Sequence, residues 1–176
     1  ELTGGSNLRE TVPAGVERTV SLVKVGGSSE WGWWLDDRQT NNVLEVSGHV
    51  LVENGDGLKI GDRPGDDGAR VIVAGGTLTN LCTKEDAALI GYRSGNCAVE
   101  IRGGSFYNSV DLNLGNQYWI AFNPYYFDGA TNNALIVAEG GTARIQKDLY
   151  IGAYAPVEPP AANVLRAESG GELTVG

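Results

Sequence analysis

The sequence predicts an all-β fold in which short strands repeat along the chain as the coils of a solenoid. Two observations carry this prediction. Short apolar segments rich in Val and Ile recur beside glycine pairs, and they are too short and too β-branched for helices. Glycine is abundant, at 26 of 176 residues, without the every-third-residue period of collagen. Equivalent apolar positions in successive units would stack into a shared interior.

The repeat unit is defined by glycines and by two apolar positions. The first glycines are 27, 28, 37 and 30 residues apart, at Gly48, Gly75, Gly103, Gly140 and Gly170. Three residues beyond them we expect one stacked apolar row of Leu51, Leu78, Phe106, Ala143 and Leu173. Before the glycine that closes each unit we expect a second row of Ile60, Ile90, Leu114 and Ile151. A weaker copy of the unit includes residues 19–26.

The glycine pairs fit corners between two strands, where a positive φ or a close backbone approach is needed. Over residues 19–176, coils of this length resemble right-handed parallel β-helix proteins. The resemblance implies about five to six coils with long loops on one face. The alternative is a β-sandwich. Because residues 170–176 stop inside the repeating pattern, we expect residues 1–176 to be a single β-helical module cut from a larger protein.

Composition excludes several classes of protein. A hydrophobic content of 41% is too high for a disordered chain, and no apolar run approaches membrane-spanning length. A formal charge of −9 disfavours nucleic acid and anionic membrane surfaces as partners. One histidine and only two cysteines leave little for zinc or thiol chemistry, so no cofactor is expected.

Most aromatic residues fall in the variable segments between a closing glycine and the next strand. These segments are 26–42, 62–70, 92–97, 116–133 and 153–163, and they should leave the same corner of each coil. They hold 11 of the 14 aromatic residues, namely Trp31, Trp33, Trp34, Tyr92, Tyr118, Trp119, Phe122, Tyr125, Tyr126, Phe127 and Tyr154. Aromatic side chains normally go to cores, so their concentration in loops needs a cause.

This distribution predicts a sugar-binding surface, because flat indole and phenol rings stack on the C–H faces of pyranose rings. Neighbouring carboxylates and amides would bind the sugar hydroxyls. The candidate ligand-binding residues are Trp31, Trp33, Trp34, Asp36, Gln117, Tyr118, Trp119, Tyr125 and Tyr126. The alternative is that these rings anchor long loops against the solenoid or cap its first coil.

Other candidate chemistry is weaker. Cys82 and Cys97 enclose a short loop and are expected to form a disulfide worth ~3 kcal/mol, with two unpaired thiols as the alternative. Residues 61–68 could hold a structural calcium ion, although their spacing does not match a calcium loop. Asp36-Asp37 and Asp66-Asp67 are candidate carboxylate pairs for glycoside hydrolysis, but both lie among turn-forming residues. His49, the sole histidine, is expected at a solvated corner.

Glycine-paired coils, aromatic loops and missing catalytic elements together resemble the β-helical xylan-binding modules of bacterial plant-cell-wall hydrolases. The resemblance implies a non-catalytic module that binds a xylan-type polysaccharide, a covalently linked glycoside hydrolase and a secreted or cell-surface location. Two alternatives stay open. One is a structural segment of a surface adhesin, which predicts no glycan affinity. The other is a polysaccharide lyase or hydrolase, which predicts that Asp37→Ala or Asp67→Ala abolishes product release.

Overall fold

The computed structural model describes residues 6–26, 39–62, 66–84, 87–92, 94–115, 131–152 and 162–176. These residues form an all-β fold of two parallel sheets, with no helix in the ranges given and therefore no membrane-spanning one. Every strand pairing is parallel, whereas the β-sandwich alternative requires antiparallel sheets. The predicted all-β class is confirmed.

One sheet has six strands, and each strand comes from a successive repeat unit. In spatial order the sheet contains β1 (Arg9–Val12), β3 (Val43–Val46), β5 (Arg70–Ala74), β8 (Ala98–Arg102), β11 (Ala134–Ala138) and β14 (Val164–Ala167). Spatial order equals chain order, so every unit adds its strand beside that of the unit before.

The second sheet has nine strands and divides into two branches at its longest member. It contains β2 (Glu17–Val25), β4 (His49–Ile60), β6 (Thr77–Asn80), β7 (Ala88–Ile90), β9 (Ser105–Asn108), β10 (Leu112–Leu114), β12 (Thr142–Ile145), β13 (Leu149–Ile151) and β15 (Glu172–Val175). The first half of β4 pairs with β6, followed by β9, β12 and β15. The second half pairs with β7, followed by β10 and β13. The units therefore contribute to three rows of strands, namely the six-stranded sheet and the two branches of the nine-stranded sheet.

The core lies between these rows. Alternate residues of both sheets point inward and form one apolar cluster, in which Leu78, Ile101 and Leu112 are fully buried. The predicted row before the closing glycines is in register, because Ile60 pairs with Ile90, Ile90 with Leu114 and Leu114 with Ile151. Burial of these matched apolar positions is the main favourable term for stacking the units.

The other predicted row was wrong in one unit. Val50, not Leu51, pairs with Leu78, and only Val50 is buried. The sequence alignment matched Gly48 to Gly75, whereas the register matches Gly48 to Gly76. A shift of one residue moves a strand's side chains to the opposite face, so Leu51 lies on the outer side. The remaining members of the row, Leu78, Phe106, Ala143 and Leu173, pair as predicted.

Both roles predicted for the glycine pairs are present. In the Gly75-Gly76 pair, Gly75 has φ +78° and open space where a Cβ would be. Gly76 has no such space, because its Cβ would lie 2.2 Å from the carbonyl oxygen of Gly48. The same division holds for Gly103 and Gly104 in the next unit. The first glycine lets the chain turn from a strand of one sheet into a strand of the other, and the second lets two backbones approach.

Candidate functional site

The predicted glycan-binding residues lie outside the described part of the chain. They are Trp31, Trp33, Trp34, Asp36, Gln117, Tyr118, Trp119, Tyr125 and Tyr126. The structure does describe both ends of the segments that carry them. Those ends determine where each segment departs from the sheets and where it returns.

The segments depart from one row of closing glycines, which we call the exit corner. Its members are Gly26, Gly61, Gly91, Gly115 and Gly152, all with positive φ. From the second unit onward, each N–H donates to a carbonyl of the unit before, as in the 2.7 Å bond from Gly91 to Ile60 and the 2.8 Å bond from Gly115 to Ile90. The variable segments therefore begin at stacked, equivalent points.

The segments return through a second row, which we call the return corner. In each unit a residue with left-handed backbone stands two positions before the six-stranded sheet. The φ values lie between +57° and +76° at Asn7, Asn41, Gly68, Asn96, Asn132 and Ala162. Asparagine and glycine tolerate this conformation best, and they hold five of the six positions. The row is a structural signature that the sequence analysis missed.

Asparagines fill the return corner one residue further on, and two of them, Asn42 and Asn133, are fully buried. The Oδ1 atom of Asn133 accepts a 2.9 Å hydrogen bond from the Cys97 N–H, and that of Asn163 accepts a 3.0 Å bond from the Asn133 N–H. Asn42 does the same for the N–H of Leu8 at 2.9 Å. Each amide thus satisfies a backbone donor of the preceding unit, which would otherwise be buried at a cost of ~1–3 kcal/mol.

The two corners also explain why glycine closes each unit. A Cβ on Gly91 would lie 2.1 Å from the side chain of Asn133, and a Cβ on Gly115 would lie 2.1 Å from Asn163. The glycine leaves the space that the asparagine side chain occupies. Since the exit and the return corners pack directly against each other, the start and the end of every variable segment lie along one edge of the fold.

A pair of buried amides lies inside the nine-stranded sheet, and the sequence analysis missed it as well. Asn80 Nδ2 donates to Asn108 Oδ1 at 2.8 Å and to the carbonyl of Ala87 at 2.9 Å. Asn108 Nδ2 in turn donates to the carbonyl of Val110 at 2.6 Å. Sequence signals existed for both features, since asparagine recurs at the end of β6 and β9 and just before β3, β11 and β14.

The predicted disulfide is absent. Cys82 and Cys97 are both buried free thiols, which is the alternative that the sequence left open. Cys97 occupies the return corner, where its Sγ lies 3.4 Å from Ser94 Oγ and 3.4 Å from the Gly95 carbonyl oxygen. Burial raises the pKa of the Cys97 thiol to about 11, against a weaker opposing effect of the hydrogen bond from Ser94. This thiol is a small packing residue in place of asparagine.

The acidic segment at residues 61–68 has structural roles where it is described. Asp67 Oδ1 accepts a 2.8 Å hydrogen bond from the N–H of Gly95, and Asp62 forms a 3.6 Å ion pair with the buried Lys24. No group of three metal-ligating side chains occurs among the described residues. The lyase or hydrolase alternative predicts that loss of Asp37 or Asp67 abolishes product release, and only Asp67 is among the described residues. Its hydrogen bond to Gly95 stabilises a bend in the next unit.

His49 lies at the exposed start of β4, as expected for a solvated corner. Its Nδ1 is 2.8 Å from the Thr77 hydroxyl of the neighbouring strand.

No family model, no curated protein and no solved structure matches the chain. The functional argument therefore rests on the arrangement of the two corners and on the residues between them.

Proposed function

We propose that the chain is a right-handed parallel β-helix of five to six coils that binds a plant-cell-wall polysaccharide without cleaving it. Three features support the β-helix. Each unit supplies three rows of strands, all pairings are parallel, and the inward side chains of all three rows belong to one core. The right-handed sense follows from the general rule for parallel crossover connections.

The observation that carries the binding proposal is the stacking of the exit and return corners. The described ends of the variable segments lie at equivalent points of successive units, which supports a side-by-side arrangement of the segments. Adjacent units are ~4.8 Å apart, so segments 27–38 and 116–130, which enter units three apart, begin ~14 Å from each other. These two segments contain all four tryptophans of the chain. Segments that begin at this spacing suit a polymer that spans several sugars.

The proposed mechanism is proximity. A module that holds a linked glycoside hydrolase against insoluble polymer raises the local concentration of its substrate without taking part in bond cleavage. A neutral xylan-type β-glycan is the ligand class that stacked aromatic rings favour, because the rings contact C–H faces and need no ligand charge.

Affinity electrophoresis in gels containing soluble xylan tests this proposal. We expect the xylan to retard the wild-type chain without releasing reducing sugar, and Trp33→Ala or Trp119→Ala to weaken binding about tenfold, from the ~1–3 kcal/mol that one stacked ring contributes. Tyr150→Ala is the matched control, since Tyr150 is an exposed aromatic on a strand outside the variable segments.

Three results would contradict the proposal. Retardation by none of a panel of soluble glycans would support a structural segment of an adhesin instead. Release of sugar that is lost in Asp37→Ala would support an enzyme. Unchanged affinity together with a sharply lowered melting temperature in Trp33→Ala and Trp119→Ala would show that the rings are packing residues.

A further inference from the structure

Residues 53–57 join the two halves of β4, and we call them the β4 corner. Two of its glycines have no room for a side chain. A Cβ on Gly55 would lie 2.1 Å from the carbonyl oxygen of Ser21 in β2, and a Cβ on Gly57 would lie 2.0 Å from that of Ala87. The backbone of the β4 corner therefore packs directly against the units on both sides.

Asn54 lies in the β4 corner, immediately before Gly55. Its backbone is left-handed, with φ +57°, and the residue is exposed. Its side-chain amide makes no hydrogen bond with any residue that the structure describes. It is also the only asparagine of the chain that a glycine follows. An unrestrained amide thus precedes a residue without a side chain.

The left-handed asparagines of the return corner lack this combination. The N–H groups of the residues after Asn7, Asn96 and Asn132 donate hydrogen bonds of 2.9, 2.9 and 3.0 Å to asparagine side chains. Asn41 Nδ2 donates to Asn7 Oδ1 at 3.4 Å. Each of these four asparagines is followed by a residue with a side chain. Reaction between the amide and the next backbone nitrogen is therefore restricted there.

We propose that Asn54 is a site of spontaneous deamidation. The backbone nitrogen of Gly55 attacks the side-chain carbonyl carbon Cγ of Asn54, and the new C–N bond closes a cyclic imide. The Cγ–Nδ2 bond breaks, and Nδ2 leaves as ammonia with the proton of the Gly55 N–H. Water then opens the imide at either carbonyl, which yields aspartate or isoaspartate. Glycine favours the ring closure, because it has no Cβ to obstruct the approach.

The two products differ in their effect on the β4 corner. Aspartate keeps the backbone length and adds one negative charge near Asp56, whose carboxylate already pairs with Lys84 at 2.7 Å. Isoaspartate inserts one methylene into the backbone, directly before the glycine that packs against Ser21. We therefore expect isoaspartate, and not aspartate, to loosen the pairing of β2 with β4.

Peptide mapping by mass spectrometry during incubation at mildly alkaline pH tests the site. We expect Asn54 to react about tenfold faster than Asn96, another exposed and left-handed asparagine, which Cys97 follows. In the folded chain Asn54 should react within about tenfold of its rate in the urea-unfolded chain, because its amide is not held by a hydrogen bond. In Asn54→Gln the reaction should disappear from this peptide, because glutamine would have to close a larger ring.

Stability measurements on the separated products test the consequence. Ion-exchange chromatography isolates the deamidated forms, and urea unfolding compares them with the unmodified chain. The isoaspartate form should unfold at a lower urea concentration, whereas Asn54→Asp, which carries the side chain of the other product, should change the midpoint little. Neither measurement uses a glycan, so they are independent of the proposed function.

Three results would overturn the inference. An unmodified Asn54 in the folded chain, under conditions that convert the unfolded chain, would show that the β4 corner holds the residue in an unreactive conformation. Faster reaction at Asn96 or Asn132 would place the site at the return corner instead. An isoaspartate form as stable as the unmodified chain would contradict the role given to the packing of Gly55.

Discussion

The two kinds of corner in each repeat unit differ in what joins neighbouring units. At the glycine pairs, backbone packs against backbone, and the connection has only two to four residues, from residues 47–48 in the second unit to residues 168–171 in the sixth. Between the exit and return corners, side-chain amides supplement the backbone hydrogen bonds between units, and the connection ranges from residues 92–95 to residues 116–131. An amide can satisfy the same backbone donor whatever the length of the segment before it. Variable segments therefore concentrate at the second corner.

The largest effect should come from filling the second position of a glycine pair. In Gly76→Ala the new Cβ would meet the Gly48 carbonyl at 2.2 Å, a contact that no rotamer relieves. We expect a loss of about 3 kcal/mol or more in the free energy of unfolding. Gly75→Ala has open space and only an unfavourable φ, so it should cost ~1–2 kcal/mol. Urea unfolding of both variants checks this, and equal costs would contradict the division of roles.

The next effect concerns the contact between the exit and return corners. Asn133→Ala leaves the Cys97 N–H and the Ser94 carbonyl without their 2.9 and 3.0 Å partners and should cost ~2–3 kcal/mol. Gly91→Ala should lower the free energy of unfolding by less in the Asn133→Ala variant than in the wild-type chain, because the asparagine side chain that the new Cβ would contact is absent. A double-mutant cycle should therefore give a coupling of at least ~1 kcal/mol. Additive costs would show that the two corners do not meet.

The buried thiol at the return corner predicts a pH dependence. Because the pKa of Cys97 is near 11 in the folded chain and near 9 when unfolded, the unfolded state loses this proton first as the pH rises. The contribution of the protonated thiol to the free energy of unfolding is therefore fully present below pH 9. It falls by ~2 kcal/mol as the pH rises from 9 to 11. Chemical unfolding at pH 8 and 10.5 should show this loss in the wild-type chain and in Cys82→Ala, but not in Cys97→Ala. An identical slope in Cys97→Ala would contradict the assignment.

The smallest effect should be a gain in stability. Ala162 occupies the left-handed position at φ +62°, where a Cβ is unfavourable. Ala162→Gly should raise the free energy of unfolding by up to ~1 kcal/mol, whereas Asn96→Gly should change it little because asparagine already tolerates this conformation. Thermal unfolding measures both, and a destabilised Ala162→Gly would mean that the side chain packs usefully there.

These comparisons show which parts of the fold a single sequence can predict. The row of Ile60, Ile90 and Leu114 was predictable because each residue precedes a glycine and has an apolar neighbour in the next unit. Val50 and Leu51 were not distinguishable, since both are apolar and only the backbone contact at Gly48 fixes the register.

The corners and the site were harder to predict for different reasons. Asparagine is common in loops, so its recurrence before β3, β11 and β14 does not by itself distinguish a row of structural amides from ordinary turn composition. The spacing of Cys82 and Cys97 in the sequence allowed a disulfide, but spacing does not say which way each side chain points. In the structure the Cys97 thiol points toward Ser94. The aromatic site residues lie outside the described ranges, and their role stays a prediction.

Tryptophan fluorescence tests the central claim most directly, because all four tryptophans fall in the two variable segments proposed to bind glycan. Because the account places these rings in water, where they can bind a sugar, acrylamide should quench the emission of the free chain efficiently. Xylan oligosaccharides should then shift the emission and reduce the quenching in a saturable way. Emission that acrylamide barely quenches and that saturating oligosaccharide leaves unchanged would contradict glycan capture at this edge.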